Sequence, residues 1–331
     1  MRVRGTGVGT VWAALCGAVL ALGVGCRKDV DAAQPLPPKV EKAVALSAPS
    51  PAPAPVYPEE TYGDLEFAKS PRIQFLWSPQ EPVGSENLTI WSMKLDGSDI
   101  RRAVAPEVLF GGAVKELHDA TRSPNGRYIA CTGGDRDSDE VRCLVDLKER
   151  SIQVISKANG QAYFNWTPDS RQIIFYGSGE LWQYDVELKK LTHLPLIYSA
   201  GLTLVDGGRR LVALNDYKIE YYDRTGRLLQ KLKQPFEAGR YHTVSADGRT
   251  FLLRVGAESV FFRSDHPDKV LWRDGKFRPR AVFGPDGDVV YFTEGSKFTE
   301  LNLKTGQEKV VVRLPGEVPN ALTLINLRSG S

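Results

Sequence analysis

The sequence is poor in the residues on which many catalytic and metal sites depend. Its 331 residues include 4 His, 4 Cys and 2 Met. No Cys/His spacing indicates a zinc site, and no Gly-x-Ser-x-Gly nucleophile elbow occurs. We therefore expect a protein that is not an enzyme and that needs no cofactor.

An excess of charge of one sign is also lacking. The chain has 43 Lys+Arg against 40 Asp+Glu, a net charge of +3. Basic residues occur in short pairs such as Arg101-Arg102 and Lys189-Lys190 rather than in long runs. Nucleic acid is therefore not an expected partner, because recognition of its backbone needs a concentrated basic surface.

The N-terminus has the pattern of a bacterial export signal. A short basic region precedes an apolar stretch over residues 8–24, which ends in LGVGC at Cys26. Residues 1–25 are therefore predicted to be a lipoprotein-type signal peptide, with Cys26 as the lipidated residue. An ordinary signal peptide and an uncleaved membrane anchor are the alternatives. Arg27 rather than Asp follows the cysteine, which favours the periplasmic face of the outer membrane.

Residues 26–63 are rich in Pro and Ala and contain few large apolar side chains. Such a composition buries too little surface to offset the entropy of ordering, so a disordered tether is predicted here. At about 3 Å per residue, the tether would reach on the order of 100 Å from a membrane.

Two series of turns then alternate along the chain, each repeating at intervals of about 40 residues. Hydrophobic stretches typical of strands separate the turns. The first series has equivalent positions at Pro124, Pro168, Asp206, Ala246 and Pro285, three of which are proline. The second series contains Asp96, Asp146, Asp185, Asp223, Asp265 and Asn302.

Two turn series with one period predict four strands per repeat. The predicted fold is all-β: a six-bladed β-propeller with four-stranded blades over residues 64–331. A two-sheet sandwich is the main alternative. We expect the strand in residues 320–327 to close the ring by completing the first blade, with residues 65–69 as the competing candidate.

The stretch LTIWSMKLDGSDIRRAV (88–104) and the recurring Ser-Pro-Asp-Gly turns resemble the WD40-like repeats of TolB-like propellers. The resemblance covers residues 70–327 and implies the propeller fold. TolB-like proteins belong to the Tol–Pal envelope system and carry an α/β domain before the propeller. This chain has the Pro/Ala-rich stretch at that place.

Cys131 and Cys143 lie six residues either side of Asp137, so a hairpin would place them opposite each other. A disulfide is predicted for an exported protein, with two buried thiols as the alternative. The hairpin tip holds Asp135, Asp137 and Asp139, whose alternation resembles half of a calcium loop. A solvated tip is the other interpretation.

Three long loops of the first two blades are predicted to cluster on one face of the propeller. Loops on a rigid scaffold often carry binding function. We expect an exposed apolar group with an acidic rim to bind a protein partner here, or the apolar residues to pack beneath the loop. The residues concerned are Val108, Leu109, Phe110, Glu81 and Glu86.

Several basic residues fall on or beside predicted inner strands, where they would receive a carboxylate at the channel end or act as ordinary rim charges. They are Arg122, Arg240, His242, Arg278 and Arg280. The leading functional hypothesis is a lipid-anchored envelope protein that binds protein partners, within a Tol–Pal-like, motility or outer-membrane assembly complex. The alternative is a ligand-binding or hydrolytic propeller that acts on a peptide or sugar at the channel.

Overall fold

The computed structural model describes most of the chain from residue 56 onward. The described residues are 56–63, 70–79, 88–110, 114, 116–134, 140–158, 163–177, 180–194, 202–215, 218–233, 236, 240–276, 278, 281–315 and 322–325. The predicted signal peptide and the tether up to residue 55 lie outside them. Among the described residues, no helix has both the length and the apolar character needed to cross a bilayer.

The described residues form six antiparallel sheets of four strands each, the blades of a β-propeller. From the innermost strand outward, blade 1 consists of β24 (Thr323–Ile325), β1 (Arg72–Trp77), β2 (Thr89–Lys94) and β3 (Arg101–Arg102). Blade 2 consists of β4 (Glu116–Arg122), β5 (Tyr128–Gly134), β6 (Glu140–Asp146) and β7 (Ser151–Ala158). A short helix, α1 (Pro106–Phe110), connects these two blades.

The remaining four blades follow in chain order. Blade 3 consists of β8 (Tyr163–Trp166), β9 (Gln172–Gly177), β10 (Glu180–Asp185) and β11 (Lys190–Leu194). Blade 4 consists of β12 (Leu202–Val205), β13 (Arg210–Asn215), β14 (Lys218–Asp223) and β15 (Leu228–Lys233). Blade 5 consists of β16 (Arg240–Val244), β17 (Thr250–Val255), β18 (Glu258–Arg263) and β19 (His266–Asp274), and blade 6 of β20 (Val282–Phe283), β21 (Val289–Glu294), β22 (Lys297–Asn302) and β23 (Glu308–Arg313).

Strand β24 closes the ring by pairing antiparallel with β1, with Arg72 opposite Ile325 and Gln74 opposite Thr323. This confirms the predicted propeller and the prediction that a C-terminal strand completes the first blade. The alternative of a two-sheet sandwich is wrong. Residues 65–69, the competing candidate for that position, lie outside the described residues.

The turn residues are explained by local hydrogen bonds. In the second turn series, Asp146 Oδ1 accepts the Lys148 N–H at 3.0 Å, and Asn302 does the same for Lys304. In the first series, Gly248 has a φ of +73°, and a Cβ there would lie 2.7 Å from a methyl of Val205. These three turns thus use a side-chain acceptor or a glycine to reverse the chain in a few residues.

The hydrophobic core lies between neighbouring blades. All six residues of β1 are buried, because their side chains alternate between the interface with blade 6 and that with blade 2. Most residues of the outer strands β15 and β23 are exposed to solvent. Each blade therefore depends on its neighbours to bury its two faces.

The predicted tether is too long at its C-terminal end. The ring of Tyr57 packs edge-on against Trp77 and Trp91, at centroid distances of 5.3 and 5.5 Å. Glu59 forms a parallel bridge with Arg102 of β3. Residues 57–60 thus belong to the folded unit, because an aromatic ring and backbone hydrogen bonds offset the cost of ordering them.

Candidate functional site: a crevice between blades 1 and 2

A cavity of about 430 Å³ opens between blades 1 and 2, beside the N-terminal segment defined by residues 57–62. Its size is that of a ligand pocket rather than a packing defect. Its lining residues are Glu59, Glu60, Thr61, Tyr62, Arg102, Ala103, Val104, Ala105, Val108, Arg122, Val145, Asp146, Leu147, Lys148 and Arg150. We refer to this cavity as the crevice.

One wall of the crevice is the N-terminal segment, which extends blade 1 outward. The Glu60 N–H donates to the carbonyl of Arg102 at 2.9 Å, and the Arg102 N–H donates to the carbonyl of Pro58 at 3.0 Å. These two bonds align residues 58–60 in parallel beside β3. These bonds hold the segment along the outer edge of the blade.

An ion network lies beneath this wall. The side chains of Glu60 and Arg122 are 4% and 3% exposed and form an ion pair. The other oxygen of Glu60 accepts a hydrogen bond from Ser92, whose hydroxyl in turn accepts from Arg72 Nε at 3.0 Å. Arg72 is fully buried and also pairs with Asp99 at 2.8 Å. Glu60 thus places a carboxylate between two guanidinium groups that are out of contact with water.

Burial lowers the pKa of the Arg122 guanidinium, and the nearby Arg72 charge acts in the same direction. The ion pair and hydrogen bond with Glu60 act in the opposite direction. Arg122 also donates from Nε to the carbonyl of Gly126 at 2.8 Å, which fixes its orientation. The N-terminal segment therefore compensates a charge that the blades alone would leave buried.

The opposite wall is the turn that joins β6 and β7. Asp146 accepts the backbone N–H groups of Lys148 and Glu149, and Arg127 binds its carboxylate through Nε and Nη2, the latter at 2.7 Å. Burial acts to raise the pKa of Asp146, but the hydrogen bonds from Arg127 and the backbone outweigh it, and the pKa is lowered. The turn is thereby held as a rigid wall.

The charges around the crevice do not balance. Arg102 pairs with Glu59, Arg122 with Glu60, and Asp146 with Arg127. The side chains of Lys148 and Arg150 are exposed and form no ion pair or hydrogen bond with any described residue. The floor is apolar, with Ala103, Val104 and Val145 buried. The crevice therefore combines a hydrophobic floor with a rim on which Lys148 and Arg150 leave an excess of positive charge.

The predicted apolar partner patch is only partly present. Leu109 is 0% exposed and belongs to the core cluster between blades 1 and 2, so exposure is wrong for this residue and the alternative, packing beneath the loop, is confirmed. It points inward because helix α1 turns its apolar side towards that core. Val108 packs against the same cluster and also lines the crevice. The side chain of Phe110 and the residues Glu81 and Glu86 lie outside the described residues.

Cys131 and Cys143 lie directly opposite each other on β5 and β6, as the sequence predicts. The predicted disulfide is wrong: both residues are free thiols, fully buried in the core cluster between blades 1 and 2. A hydrogen bond with Cys143 and burial both raise the pKa of the Cys131 thiol. The two side chains therefore serve as small apolar groups in the core between blades 1 and 2.

Among the described residues, the basic side chains predicted to meet at the channel end do not lie together. Arg122 points between blades 1 and 2 to Glu60. Arg278 lies between the outer strands of blades 5 and 6, where it pairs with Asp274 and Glu308 and stacks on Phe292. Each of these two guanidinium groups pairs with carboxylates between blades and does not point into the channel. Arg240 and His242 lie on β16, but their side chains are outside the described part of the structure. Arg280 lies outside the described residues.

The predicted calcium ligands Asp135, Asp137 and Asp139 lie outside the described residues. Within the described part of the chain, no group of three or more His, Cys, Asp or Glu side chains is arranged to hold a metal ion.

Sequence reasoning missed the central residue of the site, Glu60. It lies in YPEETY, at the end of a Pro/Ala-rich stretch that reads as a tether. The signal that would have found it is the aromatic Tyr57 before a pair of acidic residues. A large apolar side chain is out of place in a solvated linker.

The sequence matches no protein-family profile, and no curated protein is significantly similar to it. Solved structures are similar in fold. TolB from Acinetobacter baumannii superposes with a TM-score of 0.56 at 18% identity, over 76% of this chain. The chain has a TolB-like β-propeller fold. The match spans 66% of the length of that TolB chain.

A chain from the crystal structure of a nidogen/laminin complex is similar at a comparable level. Its TM-score is 0.55 at 11% identity, over 78% of this chain and 99% of that one. At these identities the likeness establishes the fold alone. The crevice of this TolB-like propeller must therefore be interpreted from its own residues.

Proposed function

We propose that this chain is a non-enzymatic, lipid-anchored protein of the bacterial cell envelope that binds another protein on its propeller. The crevice carries the proposal, because it joins an apolar floor to a charged rim, the composition of a protein-binding surface. The nidogen/laminin structure supports it as an example of this fold within a complex of two proteins. Loops and edges of a rigid propeller suit such a scaffold role.

Photo-crosslinking in intact cells tests the docking role. Tyr62 lines the crevice and is 42% exposed, so a benzoylphenylalanine at this position would lie within reach of a bound partner. Leu188 is 73% exposed on a turn of blade 3 and serves as the control position. We expect a discrete conjugate from position 62 and none from position 188. Equal conjugates from both, or none from either, would contradict docking at the crevice.

The lipid anchor is the second element of the proposal. LGVG before Cys26 supports lipidation, and the Pro/Ala-rich stretch from residue 27 provides a spacer before the folded unit. Replacement of residues 1–26 by an ordinary cleavable signal peptide should move the protein from the membrane fraction to the soluble periplasmic fraction. Retention of this variant in membranes would contradict lipid anchoring as the means of attachment.

The location at the periplasmic face of the outer membrane rests on Arg27, which follows the cysteine where a retention signal would place Asp. The partner complex would then be one that works at that membrane, of the Tol–Pal, motility or outer-membrane assembly kind. Density-gradient separation of the two membranes tests this. Recovery of the wild-type chain with the inner membrane would overturn the location without affecting the crevice.

A further inference from the structure

We propose that the crevice binds an acidic, extended peptide segment that carries a bulky apolar side chain, supplied by the protein partner. This inference rests on the proposed docking function and specifies its chemistry. Three independent features of the crevice support it: unpaired positive charge, an apolar floor and an open strand edge.

The charge of the crevice selects an acidic ligand. Its other described cations, Arg102 and Arg122, are neutralised by Glu59 and Glu60 from the N-terminal segment. On the opposite rim, Lys148 and Arg150 form no ion pair with any described residue, and Glu149 between them lies 3.8 Å from Arg127 instead. A ligand with carboxylates would complement these two groups, whereas a basic ligand would meet repulsion from them.

The floor selects an apolar side chain. Val104 and Val145 are buried at its base, and the partly buried Val108 packs beside them. The volume of about 430 Å³ is large enough for a large apolar side chain together with part of its backbone. Burial of that side chain would supply affinity, and the rim charges would supply selectivity.

The N-terminal segment selects an extended backbone. Its Pro58 and Glu60 backbone groups face β3, so those of Glu59 and Thr61 face the other way. The N–H groups of Glu59 and Thr61 have no hydrogen-bond partner among the described residues. A peptide added alongside would satisfy them, which is the usual mode of strand addition at a sheet edge.

Selection from a random-peptide phage library on the purified full-length protein tests this assignment. We expect the selected peptides to be rich in Asp and Glu around one bulky apolar residue. A selected peptide, made synthetically, should bind about tenfold more weakly to Lys148→Glu/Arg150→Glu and also weaken as salt is raised. Neutral or basic selected peptides, or binding unaffected by this double variant, would overturn the inference.

A matched control comes from the corresponding turn of blade 3. Arg150 and Lys189 each lie four residues after the turn aspartate and have φ values of +49° and +51°. Lys189→Glu/Lys190→Glu therefore makes the same change of charge on the same kind of turn, away from the crevice. Peptide binding should be unchanged by this control. An equal loss in both double variants would show a non-specific charge effect and overturn the inference.

Hydrogen–deuterium exchange gives a second readout. The bound peptide should slow exchange at the amides of Glu59 and Thr61, and protection confined to other blades would overturn the inference. Binding of dodecanoate with the same dependence on Lys148 and Arg150, without binding of any acidic peptide, would assign the crevice to a lipid-like anion instead. A partner conjugate at position 62 without acidic peptides would leave the docking function intact and remove only this inference.

Discussion

Glu60 and Arg122 form a buried ion pair that joins the N-terminal segment to β4, the innermost strand of blade 2. The two residues are 62 positions apart in the sequence. On the other side of Glu60, Ser92 connects the carboxylate to the fully buried Arg72. The ordering of the N-terminal segment and the neutrality of the interface between blades 1 and 2 therefore depend on the same carboxylate.

Replacement of Glu60 by Gln should destabilise the protein by about 3 kcal/mol, because it removes the buried carboxylate that pairs with the Arg122 guanidinium. Urea unfolding at neutral pH measures the effect. Glu59→Gln is the matched control: its side chain is 43% exposed where it pairs with Arg102, and the loss should stay below about 1 kcal/mol. Equal effects of the two substitutions would contradict the network.

Removal of residues 322–331 should lower the melting temperature and broaden the unfolding transition, because β1 then loses its inner neighbour. Removal of residues 326–331 alone should leave both unchanged, since it spares β24. Calorimetry of the two truncated proteins separates the strand from the residues after it. If the protein without residues 322–331 melted at the same temperature as the full-length protein, the ring would have to close in another way.

Cys131 and Cys143 should resist alkylation in the folded protein and react fully in urea without any reductant, because both are buried thiols. Arg142 lies between them, so trypsin releases the two cysteines in separate peptides. Mass spectrometry should therefore find two alkylated peptides. A linked pair of peptides would restore the disulfide that the sequence predicts.

Asp119 should make stability fall as the pH rises from about 4 to about 7. Burial of its carboxyl raises its pKa to about 7, although a hydrogen bond from the Ala120 N–H opposes this. In that range the folded protein holds a proton that the unfolded chain has released, so increasing pH favours unfolding. Asp119→Asn should therefore stabilise the protein more at pH 7.5 than at pH 4.5.

Asp146 provides the opposite case, because its pKa is lowered in the folded protein. The free energy of unfolding that Asp146 contributes is present at pH values above its pKa in the unfolded chain. It is lost as the pH falls through its pKa in the folded protein. Asp146→Asn should thus cost more stability at pH 7.5 than at low pH. The same dependence on pH in both variants would contradict the assigned shifts.

Arg142 should be replaceable by Met with a loss of less than about 1 kcal/mol, or with a gain in stability. Its side chain is buried over the ring of Phe175, and its Nε and Nη2 have no acceptor among the described residues. Arg72→Met should cost more than Arg142→Met, because Arg72 donates to both Ser92 and Asp99, and Asp99 would keep only its pair with Arg101 among the described residues. Denaturant unfolding of both variants compares them, and a larger loss for Arg142→Met would contradict this account.

The fold could be predicted from the sequence because the residues that form its turns lie close together in the sequence and recur from blade to blade. Asp146 and Asn302 each supply a side-chain acceptor to their own turn, and Gly248 supplies a backbone conformation within its own turn. The position of the closing strand followed from the same period. Such signals do not depend on which blade lies beside which, so one chain sufficed to recognise them.

The site could not be predicted because it depends on contacts between distant segments. Nothing near Glu60 in the sequence indicates that Arg122 lies against it. From the sequence, Leu109 could be exposed in a loop or packed beneath it, and only the neighbouring blades show that it belongs to the core. Arg278 reads as a channel residue because it precedes an inner strand, yet Asp274 and Glu308 hold it at the outer edge.

Because β24 pairs with β1, blade 1 combines strands from the two ends of the described chain. On the ribosome, the ring stays open until the residues of β24 have emerged. A chain that is exported as proposed would therefore enter the secretion channel before it is able to complete its fold. The pairing of β24 with β1 thus delays completion of the fold until all six blades have been synthesised.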